Sequence, residues 1–102
     1  DMNIVSKTLM VNIENDITLH NGSITMTVVH QVHVYELGDE IDVDVELIDF
    51  DNVVFLGISI GYTTLRETLE NVGIEFQSMV NDASNDLISD QDIEYLKTLY
   101  IK

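Results

Sequence analysis

The chain has 102 residues and a mass of 11.6 kDa, which suits a single domain over 1–102 and is too short for two separate cores. An apolar fraction of 45% excludes a disordered acidic tail, and the lack of cysteine excludes disulfide scaffolds and thiolate metal sites. Nineteen acidic residues against four basic ones give a net charge of −15, which repels nucleic-acid phosphates and anionic lipid and favours cations or a strongly basic protein surface.

The first sixty residues read as β-structure. Lys7 to Ile13 alternates through Leu9, Val11 and Ile13, and Ile17 to Leu19 reads as a short second strand. Asn21-Gly22 marks a type I′ hairpin, because both residues tolerate positive φ. Ser23 to Tyr35 is the longest strand, with Ile24, Met26, Val28, His30, Val32 and Val34 on one face. After a turn at Leu37-Gly38-Asp39, Glu40 to Phe50 alternates with Ile41, Val43, Val45 and Leu47 inward and Asp42, Asp44 and Glu46 outward. Asp51-Asn52 reads as the next turn. Val53 to Ile60 is an apolar run that suits a central strand buried on both faces.

The remaining residues read as mostly helical. Thr64 and Glu67 have the spacing of a capping box, Leu65, Leu69 and Val72 form one helix face, and Gly73 suits a left-handed C-cap. Ile74 to Val80 fits a strand or a helix equally. Ser89 to Asp92 signals another helix start, followed by a stripe of Ile93, Leu96, Leu99 and Tyr100. The expectation is an α+β fold: an antiparallel sheet of about five strands, then two or so C-terminal helices packed on one face.

No motif in the chain builds a catalytic site, and no cofactor is implied. Gly57-Ile58-Ser59-Ile60-Gly61 matches G-x-S-x-G, but no histidine follows it to serve as base, and its glycines are read as small residues for close packing at a strand end. His30 and His33 fall on opposite faces of one strand and cannot chelate together. Their expected role is partial protonation, since a negative field raises histidine pKa. Asn81 to Glu94 is rich in Asp and Asn and faintly resembles the second half of a dockerin calcium repeat. However, Ala83 falls on a ligand position and Asp86 on the turn that needs glycine, so the stretch is read as a loop into a capped helix, with no metal.

The strongest feature is an acidic run. Glu36, Asp39, Glu40, Asp42, Asp44, Glu46, Asp49 and Asp51 lie within sixteen residues, and no Lys or Arg occurs from Thr8 to Leu65. Asp42, Asp44 and Glu46 project from one strand face about 6.6–6.8 Å apart, on the scale of neighbouring phosphates along a nucleic-acid strand. The turn acids extend the row at both ends. Such a row is complementary to a phosphate-binding groove lined by Lys and Arg.

In size, charge and β-then-α order the chain resembles phage-encoded inhibitors of host nucleic-acid enzymes. It looks most like the small acidic anti-CRISPR proteins of phages and mobile elements that block type II RNA-guided nucleases. The resemblance implies a non-enzymatic DNA mimic whose partner is a basic surface of a host nuclease or another nucleic-acid-binding protein, with no direct contact to nucleic acid or membrane. Its implied location is the host cytoplasm. In keeping with that, the longest apolar run is too short to span a bilayer, no cationic leader opens the chain, and Asp1 reads as a cloning remnant before a native Met2. The alternative expectation is a structural module of a phage particle in which an apolar strand edge pairs with a copy. A homodimer is compatible with the inhibitor reading, whereas the structural module calls for a large self-assembly rather than a monomer or dimer.

Overall fold

Alternating apolar and polar residues carry three long strands, joined by tight turns into one antiparallel meander. The computed structural model describes residues 7–101. The strands are β1 (Thr8–Leu19), β2 (Ile24–Leu37), β3 (Glu40–Phe55) and the two-residue β4 (Ile58–Ser59), in spatial order β1-β2-β3-β4. Three helices follow: α1 (Tyr62–Glu70), α2 (Phe76–Ser84) and α3 (Asp90–Ile101). The α+β arrangement is as expected, with four strands for about five and three helices for two or so.

The strand count differs for two local reasons. Glu14-Asn15-Asp16 is not a break, because Glu14 and Asp16 take outward positions of a continuous β1, and only Asn15 puts a polar group on the inward side. Asp51-Asn52 is not a turn but lies within β3, where Thr25 pairs with Val54 and Thr27 with Asp51, so that Met26 faces an extra residue. Asn52 has φ 55° at this bulge. The reversal comes instead at Leu56-Gly57, with φ 51° and 80°, as a type I′ turn requires. Val53 to Ile60 is therefore no central strand. Val53 is buried, whereas Leu56 and Ile58 are 68% and 69% exposed. Gly57 serves the positive φ of the turn rather than close packing, since a Cβ there would meet nothing within 4 Å.

The central strand is β2. Ile24, Met26, Val28, Val32 and Val34 point to one face and are buried under the helices. Two apolar clusters share that face. In the first, Leu65 and Leu69 of α1 and Phe76 and Val80 of α2 pack on Ile17, Leu19, Ile24, Met26, Val28 and Val53. In the second, Leu96 and Tyr100 of α3 pack on Val32 and Val34. The strands are long, and the molecule measures 58 × 26 × 21 Å. Its radius of gyration is 17.4 Å, against about 13 Å for a compact chain of this length.

The helix starts differ from the sequence reading at one of two places. Ser89 and Asp92 do form a reciprocal cap, with Asp92 N–H donating to Ser89 Oγ at 3.1 Å and Ser89 N–H donating to Asp92 Oδ2 at 3.0 Å. The Thr64–Glu67 box does not form, because α1 begins earlier, after Gly61. There Tyr62 stacks on Phe50 with ring centroids 3.9 Å apart, and this packing places Thr64 inside the helix. Gly73, at φ 85°, ends α1 as expected, with Ile74 N–H donating to Leu69 O at 3.0 Å. Val72 lies past the helix end and is exposed. The ambiguous Ile74–Val80 segment resolves into α2, seated by the fully buried Phe76. Asn81 and Ala83 belong to this helix, so they do not form a calcium loop. Among the described residues no helix is long and apolar enough to cross a membrane.

Leu56 is the one aliphatic residue at positive φ among the described residues, and it gains no burial in return. Leu56→Asn is expected to stabilise the fold by about 0.5–1 kcal/mol, read as a rise in Tm of roughly 2–8 °C. An unchanged or lowered Tm counts against a strained turn.

Candidate interaction face

The face of the sheet turned away from the helices carries the charge. The strand register sets its rows across β1, β2 and β3: Thr8–Tyr35–Asp42, Met10–His33–Asp44, Asn12–Gln31–Glu46, Glu14–Val29–Asp49 and Asp16–Thr27–Asp51. Asp44, Glu46, Asp49, Asp51, Glu14 and Asp16 are exposed and Asp42 is half-buried. The column from Asp42 to Asp51 runs about 25–30 Å along β3, and Glu14 and Asp16 stand two strands away, about 10 Å across.

A second bulge creates this column. Val29 pairs with Asp49 but His30 pairs with Leu47, so Ile48 is inserted without a partner. Side chains alternate with period two, and one inserted residue reverses the parity beyond it. Asp49 and Asp51 thereby join Asp42, Asp44 and Glu46, while Phe50 turns inward. They act as strand residues rather than as the turn acids expected from the sequence. Glu40 opens β3 opposite Leu37 with the parity of Asp42, and Asp39 sits in the turn beside it.

Glu36 is not part of this face. It pairs with Ile41, on the helix side, where the Tyr100 hydroxyl lies 3.1 Å from Glu36 Oε1 and 2.9 Å from the Lys7 carbonyl oxygen. Loss of water and the Glu36 carboxylate push the Tyr100 hydroxyl above the ordinary tyrosine pKa. Glu14 and Asp16 are the site residues that sequence reasoning missed. Their alternation was legible, but Asn15 between them imitates a strand break.

Few contacts within the fold offset these charges. Tyr35 donates its hydroxyl to Asp42 Oδ2 at 3.3 Å, and Thr27 donates to Asp16 Oδ1 at 2.8 Å. Loss of water, reinforced by Asp44 and Asp42, raises the Tyr35 pKa. The only ion pair among the described residues joins Lys97 to Glu94 on α3. Lys7 lies over the Tyr100 ring at 4.9 Å, and Arg66 is on α1. Every described cation thus belongs to the helix side. Unit charges about 6.7 Å apart repel by about 0.6 kcal/mol in bulk water, and the Debye length of about 8 Å at physiological salt does not screen out such neighbours.

The inner face holds a second feature. His30 lies between Val28 of one apolar cluster and Val32 of the other, beside an open cleft of about 490 Å³ lined also by Val45, Leu47, Asn81, Ser84 and Asn85. Its Nδ1 and the Ser84 Oγ are buried without a hydrogen-bond partner among the described residues. Burial lowers the His30 pKa, so the negative field does not prevail there as the sequence reading expects.

No family model, no curated protein and no solved structure matches this chain.

Two outcomes follow from these electrostatics. Glu46→Gln is expected to raise Tm by about 2–4 °C at low ionic strength, with the gain shrinking as salt is added. A variant less stable than the parent at low salt contradicts unrelieved repulsion. For His30 the folded pKa lies below the unfolded value of about 6.5, so the unfolded chain takes up the proton first. The stability held above pH about 6.5 is therefore lost as pH falls toward the folded pKa. Denaturant titrations between pH 7 and 5 are expected to show this loss in the parent and a smaller one in His30→Leu. Equal slopes in the two proteins contradict it.

Proposed function

We propose that the chain is a DNA-mimic inhibitor of a nucleic-acid enzyme, with an RNA-guided type II nuclease as the favoured target. One observation carries this reading: the outer sheet face presents eight carboxylates on two strands, and no described cation lies on it. A solvated sheet face ordinarily mixes signs, because cross-strand ion pairs stabilise it and like charges do not. An unmixed face is complementary to a groove whose Lys and Arg side chains hold phosphates or read PAM bases. Asp42, Asp44, Glu46, Asp49 and Asp51 supply the phosphate-like column, and Glu14 and Asp16 broaden it. Glu40 and Asp39 extend it at the turn. Glu36 is not part of the proposed contact. The mechanism is competitive occupation, in which the inhibitor fills the cationic groove and leaves the duplex nothing to bind.

The test is a mobility-shift assay of duplex DNA binding by a panel of guide-loaded type II nucleases. The chain is expected to abolish the shift for at least one nuclease at low salt, and to lose potency steeply as salt rises. Asp42→Lys, Asp44→Lys and Glu46→Lys in one chain are expected to cost at least a hundredfold in potency while the circular dichroism spectrum is retained. Full inhibition by that triple variant, or no inhibition across the panel, defeats the reading.

A further inference from the structure

The two edges of the sheet are built differently. The β3 edge carries Glu40, Asp42, Asp44, Glu46, Asp49 and Asp51 and is broken by bulges at Ile48 and Asn52. Charge and bulges are the usual devices that stop strand edges from pairing. The β1 edge lacks both over its first half. Thr8-Leu9-Met10-Val11-Asn12-Ile13 is uncharged, and its register with β2 is unbroken from Thr8 to Leu19.

The helix layer also stops short there. Ile17 and Leu19, at the far end of β1, are buried under the first apolar cluster. Leu9, Val11 and Ile13 are only partly buried at the margin of the second, and Met10 on the outer face is 55% exposed.

We infer that β1 pairs antiparallel with β1 of a second copy, about a two-fold axis through Val11 and perpendicular to the sheet. This inference is independent of the inhibitor reading. Such an axis sets Leu9 against Ile13, Met10 against Asn12, Val11 against its own copy and Thr8 against Glu14. Inward residues meet inward residues, so the half-covered Leu9, Val11 and Ile13 of each copy adjoin those of the other. No carboxylate opposes a carboxylate in the Thr8–Glu14 stretch. A two-fold pairing at β3 would set acids against acids in any register that keeps the faces aligned. The contact is isologous and closes at two copies, because each outer edge is then the acidic, bulged β3 with the two-residue β4 at its end. The dimer has one continuous eight-stranded sheet with both acidic faces on the same side.

Light scattering coupled to size exclusion, and sedimentation equilibrium, test this at about 0.15–0.5 M NaCl, where repulsion between two copies of charge −15 is damped. The expected mass is twice the chain mass of 11.6 kDa. Met10→Glu with Asn12→Glu sets acid against acid across the axis and is expected to weaken association at least tenfold, with the monomer still folded by circular dichroism. Met10→Lys with Asn12→Glu sets Lys against Glu at the same two positions and is expected to restore the dimer. A monomeric parent, a larger open assembly, a double-Glu variant that still dimerises, or a Lys/Glu variant that does not, each overturns the inference.

Discussion

The register of β3 against β2 is the constraint on which both faces of the protein depend. From Asp42 to Leu47 the strand alternates simply, with acids outward and apolar residues inward. Continued without interruption, that parity would send Asp49 and Asp51 into the core and Phe50 into solvent. The inserted Ile48 reverses it, and the bulge at Asn52 reverses it again, so that Val53 and Phe55 return inward, with Phe55 beside Ile24. Two insertions thus sort sixteen residues into an acidic face and a core face. Losing the insertion at Ile48 would turn Asp49 and Asp51 toward the core, at a cost of several kcal/mol per carboxylate, comparable with the net stability of a small domain.

The sheet tolerates its charged face because β2 lies between the two acidic columns. Its outward residues Thr27, Val29, Gln31, His33 and Tyr35 carry no carboxylate, and they separate β1 from β3 by two strand spacings. Inward, β2 supplies the fully buried Ile24, Val28, Val32 and Val34, under helices that bring Leu65, Phe76, Val80 and Leu96. Apolar burial on one side of the strand therefore offsets repulsion on the other. His30 marks the place where that cover thins, between the α1–α2 cluster and the α3 cluster.

Local signals were legible in the sequence wherever one residue's neighbours decide its place. The alternation of Ile24 to Val34, the outward Asp42, Asp44 and Glu46, the positive-φ turn at Asn21-Gly22 and the Ser89–Asp92 cap all reappear in the structure. What was not legible depends on a partner strand or a packing contact. Nothing around Ile48 announces a bulge, because its residue type fits an ordinary strand and only the register of β2 leaves it unpaired. Glu36 lies close in sequence to the acidic run, yet the turn at Gly38 and the Tyr100 hydroxyl settle it on the opposite face. Asn15 hid the continuity of β1 by placing an amide where an apolar residue is normal, and its Nδ2 is left without a partner among the described residues.

Charge is thus distributed by direction as well as by amount. Across the sheet it separates an acidic face from a helix face that holds every described cation. In the plane of the sheet it separates an edge lined with acids from one whose first six residues are neutral. Both asymmetries come from the same strand, since the acids that give β3 its outward column also stand along its free edge. Solubility alone needs only net charge and sets no direction for it. Sorting by face and by edge is what the two proposed contacts require: a cationic groove opposite the acidic plane, and a neutral strand alongside β1.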